Sequence, residues 1–114
     1  MTTLAEEQRR VCEKFRTHYE PPQAGSKVGM ALQTLGALPL NALRHLAVHG
    51  TSGWYIWWGD TLTEDPEFFQ PLHVEHLPER CPELLSYLAL PPGWRVQLAP
   101  GHEDAWRDDA LLDV

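Results

Sequence analysis

The sequence has no excess of basic residues and no long apolar run, and each absence excludes a class of protein. Nine Lys and Arg against sixteen Asp and Glu give a formal net charge of −7, which argues against a nucleic-acid binder, since such a protein needs a basic surface for the phosphates. No run approaches the ~18 apolar residues of a membrane span, and the opening MTTLAEEQRRVCEKF lacks the apolar core of a signal peptide. We therefore expect a cytoplasmic protein that binds neither nucleic acid nor membrane.

Common catalytic and nucleotide-binding motifs are also missing. There is no GxSxG elbow, no GxGxxG loop and no P-loop. The two cysteines, Cys12 and Cys81, lie on apolar stripes of predicted helices, where burial raises a thiol's pKa and lowers its reactivity. They form no spaced metal motif, and a disulfide between them is not expected in a reducing compartment. The sequence thus predicts a protein without catalysis and without a cofactor.

Two segments have the apolar spacing of helices. The first, residues 1–20, opens with Thr3 followed by Glu6, a capping-box pattern. The second includes Pro82, which suits the first turn of a helix because it has no amide proton to leave unpaired. The apolar stripe of this second segment consists of Cys81, Leu84, Leu85 and Leu88.

Four segments have the character of strands. KVGMAL (27–32) and GWRVQL (93–98) alternate, SGWYIWWGD (52–60) is mainly aromatic, and GHEDAWRD (101–108) returns after a predicted turn. PLNALRHLAVHG (39–50) fits either a short helix or an ordered loop. The length of 114 residues fits a single domain, 1–114. We predict an α+β fold, a small antiparallel sheet of three to five strands with two main helices packed largely on one face.

The strand SGWYIWWGD carries large apolar side chains on both faces, whereas a half-buried strand normally alternates apolar with polar residues. The set assigned to the core is Trp54, Ile56 and Trp58. Tyr55 and Trp57 then share the other face with the polar residues of GWRVQL, so that face is partly in contact with water. Tyr55 and Trp57 are therefore candidates for a docking surface, because aromatic residues are enriched at interface centres.

A run of carboxylates follows this strand and ends beside Phe68 and Phe69. One interpretation is a solvated loop whose two phenylalanines fill the core. The other is an interface, in which carboxylates surround an aromatic anchor and meet a basic surface. The predicted partner-binding residues are Tyr55, Trp57, Asp60, Glu64, Asp65, Glu67 and Phe68.

Six histidines raise the question of a metal site. His45 and His49 have the spacing that zinc proteases use on a helix, but a leucine stands where that motif has its glutamate base. His73, Glu75 and His76 lie close in sequence and would be the ligands if any residues bind a metal. We predict no metal site and keep this second cluster as the alternative.

Five stretches, taken in order, resemble a known family, the Imm33-like immunity proteins of bacterial polymorphic toxin systems. They are KVGMALQTLG, PLNALRH, SGWYIWWGD, DPEFFQPLHVEHL and PPGWRVQLAPGHEDAWRD, spanning about residues 27–112. The resemblance implies a small cytoplasmic protein that binds and occludes one cognate toxin, as an antitoxin does, without catalysis. The negative charge of the chain favours a toxin with a basic surface. We expect a monomer or a weak homodimer.

Two interpretations from other classes stay open. One is a metal-binding protein or metal-dependent hydrolase that uses His73, Glu75 and His76. The other is a structural subunit of a larger assembly. A zinc measurement on the purified protein would separate the first from an immunity protein, and a self-association assay would address the second.

Overall fold

The computed structural model describes residues 2–60 and 67–112. Its strands are β1 (Lys27–Met30), β2 (Leu40–Arg44), β3 (Thr51–Trp58), β4 (Gln70–His73), β5 (Trp94–Ala99) and β6 (His102–Arg107). In the described part of the chain these strands form one six-stranded sheet in the order β4–β1–β3–β2–β5–β6. β1 and β3 are parallel, and the other neighbouring strands are antiparallel.

The predicted α+β architecture, with three to five antiparallel strands and two main helices, is wrong. The sheet has six strands and is mixed, and the chain is mostly β. Helix α1 (Leu4–Lys14) spans 11 residues and helix α2 (Leu77–Arg80) spans 4. The 3₁₀ segments are Leu32–Thr34, Val74–His76, Pro82–Tyr87 and Asp109–Leu112. Among the described residues, no helix has the length and apolar character needed to cross a bilayer.

The second predicted helix is interrupted at Pro82. A proline disfavours the α conformation of the residue before it, and Cys81 accordingly has φ −151° and ψ 72°. Helix α2 therefore ends before Cys81, and the chain continues as the 3₁₀ segment Pro82–Tyr87. The predicted apolar stripe is nevertheless buried, since Cys81, Leu84 and Leu88 lie in the core.

Helix α1 begins as predicted and ends early. The hydroxyl of Thr3 accepts the Glu6 N–H at 3.1 Å, as the capping-box pattern indicated. The helix ends at Lys14, and Arg16 has φ 60°, in the left-handed region that a right-handed helix does not enter. The helix predicted over residues 1–20 is therefore too long.

Residues 39–50, which fit a helix or a loop by sequence, contain the central strand β2. It pairs with β3 on one side and β5 on the other. Because both faces of this central strand are covered, its burial does not alternate: Leu40, Ala42, Leu43 and Arg44 are all buried. Residues 45–50 then form an irregular connection to β3.

One face of the sheet, called the helix-bearing face below, carries the main core. Helix α2 and the 3₁₀ segment Pro82–Tyr87 pack on it, and α1 packs on that 3₁₀ segment. Trp54, Ile56 and Trp58 point to this face and are buried, which confirms their assignment to the core.

Arg44 joins several segments beneath the helix-bearing face, where it is only 3% exposed. Its Nε donates to the carbonyl of Ser52 at 3.0 Å. Its Nη1 donates to the carbonyls of Glu20 at 2.6 Å and Leu90 at 2.8 Å, with Leu88 farther away at 3.4 Å. Burial lowers the pKa of the guanidinium, and the nearby Glu20 carboxylate opposes that shift. Arg44 therefore acts as a structural cation held by main-chain carbonyls.

Candidate functional site

The opposite face of the sheet, called the second face below, carries Tyr55 and Trp57. Phe68 and Phe69, at the end of the acidic run, fold onto it. The ring centroid of Phe69 lies 5.2 Å from that of Tyr55 and 6.2 Å from that of Trp57, both nearly perpendicular, and Phe68 packs on Phe69 at 4.9 Å. Trp57 is 7% exposed and Phe68 6%, whereas Tyr55 is half-buried. The chain itself thus covers two of the three predicted aromatic contact residues.

Gly29 makes this aromatic cluster possible. It pairs with Tyr55 across the parallel β1–β3 ladder. A Cβ at Gly29 would lie 2.6 Å from Cδ1 of Tyr55 and 3.3 Å from Cβ of Phe69. The tyrosine ring therefore lies across β1 in space that any side chain would occupy.

The carboxylates lie in the acidic loop, defined as residues 60–67. Asp60 and Glu67 are exposed, while Glu64 and Asp65 lie outside the described residues. The Gly59 N–H donates to the carbonyl of Pro39 at 2.8 Å, just before the loop. Just after it, Nε2 of Gln33 donates to the carbonyl of Phe68 at 3.1 Å. Both ends of the acidic loop are thus fixed to the connection between β1 and β2, residues 31–39.

Farther across the second face, polar side chains bond to one another. Nε2 of Gln97 donates to Oδ1 of Asn41 at 3.2 Å, and Nε2 of His102 lies 3.0 Å from Oε1 of Gln97. Nε of Arg95 donates to Oδ2 of Asp108 at 2.8 Å and holds the pKa of that carboxyl below its usual value. The partly wet character predicted for Arg95 and Gln97 is confirmed, since both are half-buried.

The cluster of His73, Glu75 and His76 contacts the chain itself. Oε2 of Glu75 accepts the Gly25 N–H at 2.8 Å, and Nδ1 of His73 lies 3.2 Å from the carbonyl of Gly25. The Gly25 N–H holds the pKa of Glu75 below its usual value. Within residues 2–60 and 67–112, no three His, Cys, Asp or Glu side chains converge as metal ligands. The cluster fastens the turn at Gly25 to the end of β4, and no observation favours the metal-dependent alternative.

The helical spacing considered for His45 and His49 does not exist in the structure. Strand β2 ends at Arg44, and Nδ1 of His45 lies 2.9 Å from the carbonyl of Leu111. His49 has φ 50°, in the irregular connection to β3. The two imidazoles therefore do not share a helix face.

Both cysteines are free and buried, as predicted. Burial raises the pKa of the Cys12 thiol and raises that of Cys81 to about 12. Both groups are therefore protonated at neutral pH, and a protonated, buried thiol is a poor nucleophile.

Sequence reasoning missed one surface, the connection of residues 31–39, which holds both ends of the acidic loop. A signal was present in the sequence, because no charged residue occurs between Lys27 and Arg44. Such an uncharged stretch is expected to be buried, yet residues 35–38 are all exposed. No local sequence motif distinguishes such exposed apolar residues from buried ones.

Comparison with known proteins gives one match. The family model described as Imm33-like domain matches residues 7–108, which include the whole sheet and most of α1. No curated protein and no solved structure matches the chain. Since the match covers well over half of the sequence, the chain belongs to the Imm33-like family.

Proposed function

We propose that this chain is an immunity protein that binds one cognate bacterial toxin in the cytoplasm and occludes it, without catalysing a reaction. The Imm33-like family implies a toxin partner in general. The proposal adds the mode of action, steric occlusion, and a surface, the acidic loop with Tyr55. It also adds a basic character for the toxin surface that is bound.

The anchoring of the acidic loop is the observation that carries this proposal. Two hydrogen bonds to residues 31–39 hold its ends, and Phe68 is buried in the aromatic cluster of the second face. Fixing the two ends of a segment restricts its conformations and so lowers the conformational entropy that it loses on binding. Asp60 and Glu67 are exposed on it, and the chain carries a net charge of −7. Negative charge of this kind steers the encounter with a basic protein and accelerates association.

Within the predicted partner-binding set, the residues take different roles. Asp60, Glu64, Asp65 and Glu67 supply the charge, and the half-buried Tyr55 supplies an aromatic edge beside them. Trp57 and Phe68 are buried, so their role is to hold the end of the loop against the second face. We therefore expect substitution of either buried aromatic residue to lower stability and binding together, whereas substitution of the exposed Asp60 should lower binding alone.

Coexpression with the product of the gene adjacent to this chain's gene, taken as the candidate toxin, tests the proposal. The wild-type chain should restore growth to cells that produce the toxin. It should also form a complex with a catalytically inactive toxin variant, measured by isothermal titration calorimetry. Asp60→Lys should slow association, and the difference from wild type should shrink at high salt, where exposed charges are screened.

Glu13→Lys is the matched control, because it makes the same change of charge in the last turn of α1, at the end of that helix beside Ala89. Glu13 is exposed, like Asp60. It should leave the association rate close to that of wild type. Absence of both protection and complex formation by the wild-type chain would contradict the proposed function. Equal effects of the two substitutions would contradict the assignment of the acidic loop.

A further inference from the structure

The connection between β1 and β2 exposes leucine side chains that the rest of the described chain leaves uncovered. Leu35 is 48% exposed and Leu38 60%, the largest exposed fraction among the large hydrophobic side chains of the described residues. Exposure of a single leucine is ordinary. Here, however, the two leucines lie in a stretch without any charged residue, from residue 28 to residue 43. The surface around them is therefore apolar over several neighbouring residues.

Leu38 borders a groove of about 340 Å³ at one end of the sheet. Leu40 pairs with Trp58 on one side and with Leu98 on the other, so three strands bring apolar side chains together there. Apart from Glu83, all the residues that line the groove are apolar: Leu38, Leu40, Trp58, Leu98, Ala99 and Pro100. The groove therefore suits an apolar side chain from another molecule.

Asp60, the first residue of the acidic loop, lies beside this groove. Gly59 follows Trp58 directly and bonds to the carbonyl of Pro39 at 2.8 Å, which places Asp60 next to the residues that carry Leu38. Glu83 is exposed at the lining of the groove, and none of the lining residues is basic. An apolar centre with a polar rim is the usual composition of a specific interface.

We propose that this groove, together with Leu35 and Leu38, is the central contact for the toxin. It accepts an apolar side chain that the toxin presents between Lys or Arg residues, and those residues pair with Asp60 and Glu83. This inference rests on the proposed function and adds to it the chemistry of the toxin segment and the residues that bind most strongly. A few central apolar contacts usually carry most of the binding free energy, whereas charges at the rim mainly set the rate of association.

The test uses the full chain and the catalytically inactive variant of the toxin encoded beside its gene. Leu38→Ala should raise the dissociation constant at least tenfold, mainly through faster dissociation. Leu35→Ala provides a second, independent variant of the same surface. The matched control is Leu46→Ala, because Leu46 is 52% exposed but lies beyond the opposite end of β2. Thermal unfolding should give nearly equal midpoints for all three variants, since their side chains are largely in contact with water.

The outcomes separate this inference from the proposed function. Weaker binding by Leu38→Ala and Leu35→Ala, with Leu46→Ala within about twofold of wild type, would support the groove as the contact. If all three variants bind the toxin as tightly as the wild-type chain does, the groove is not the contact, and the proposed immunity function still stands. A wild-type chain that neither binds nor protects would overturn both. The toxin segment itself is checked by replacing its central apolar residue, which should give no further loss when Leu38 is already alanine.

Discussion

Two buried tryptophans differ in their hydrogen bonding, which makes them a matched pair for measuring stability. Both belong to the core of the helix-bearing face. Nε1 of Trp54 donates to the carbonyl of Leu88 at 3.0 Å. Nε1 of Trp94 is the one buried side-chain nitrogen or oxygen without a hydrogen-bond partner in the described part of the chain. Trp54→Phe and Trp94→Phe remove the same atoms, so their difference reports mainly on this nitrogen.

The two hydrogen-bonding contributions act in the same direction. Trp54→Phe loses a hydrogen bond worth about 0.5 to 1.5 kcal/mol, while the Leu88 carbonyl keeps only its longer contact to Arg44. Trp94→Phe removes an unpaired buried donor, whose burial costs about 1 to 3 kcal/mol. We therefore expect Trp54→Phe to lower the free energy of unfolding by about 1.5 to 4.5 kcal/mol more than Trp94→Phe does. A difference of this size is a substantial fraction of the ~5 to 15 kcal/mol that stabilises an ordinary domain.

Urea unfolding followed by far-ultraviolet circular dichroism measures this difference, because tryptophan fluorescence would itself change with the substitutions. The dependence of the free energy on urea concentration should be the same for both variants, so that the midpoints can be compared directly. If Trp94→Phe destabilises the protein as much as Trp54→Phe, the reasoning is refuted, and the indole of Trp94 must contribute by packing alone.

Three further predictions concern the framework of the sheet. Arg44→Met should lower the free energy of unfolding by several kcal/mol in urea unfolding, because each buried carbonyl that it leaves unpaired costs about 1 to 3 kcal/mol. Arg95→Met removes a half-exposed ion pair and should cost at most about 1 kcal/mol. Similar costs would show that the carbonyl cluster around Arg44 is not stabilising. Gly53→Ala should lower the melting temperature far more than Gly36→Ala in calorimetry. Both glycines have positive φ, 88° at Gly53 and 96° at Gly36. A Cβ at Gly53 would lie 2.0 Å from a main-chain oxygen, whereas a Cβ at Gly36 would meet open space. Equal losses of melting temperature would mean that this oxygen moves away freely. Hydrogen bonds from a lysine and a tyrosine hold the pKa of Glu103 below its usual value. The ionised Glu103 therefore contributes to the free energy of unfolding above the unfolded pKa of ~4.3, and this contribution is lost as pH falls through the folded pKa. Glu103→Gln should flatten the rise of the melting temperature with pH in this acidic range. An unchanged pH profile would argue against the hydrogen bonds to Glu103.

The strands that could be predicted are those whose sequences contain a local signal. Residues 27–30 of β1 and 94–98 of β5 alternate, and the turn at Pro100 and Gly101 marks the return of β6. Strand β2 carries no such signal, because a strand covered on both faces needs no polar alternation. Strand β4 contains Pro71 and could be accepted only as an edge strand, which is its place in the sheet.

The helices were overestimated because apolar spacing persists beyond the point where the helical backbone ends. Phe15 lies 6.0 Å from Trp94 between ring centroids, and the ring of Tyr19 lies 4.1 Å from the guanidinium carbon of Arg9. Both aromatic residues are therefore used in packing, although neither lies in α1. The spacing of apolar residues reports burial, and the backbone conformation depends in addition on residues such as Arg16 and Pro82 that interrupt it.

In the candidate site, too, the types of residue in the sequence do not determine which side chains are exposed. The aromatic residues of SGWYIWWGD attracted attention because large side chains carry most interface energy. Whether they are exposed depends on Phe68 and Phe69, which lie beyond the end of the strand and fold back over it through a contact that no local pattern encodes. Gly29, on a third segment, provides the space for that contact. The leucines at residues 35 and 38 are exposed although Gly59 and Phe68 both bond to the connection that carries them. The apolar surface open to a partner is therefore aliphatic and lies next to Asp60.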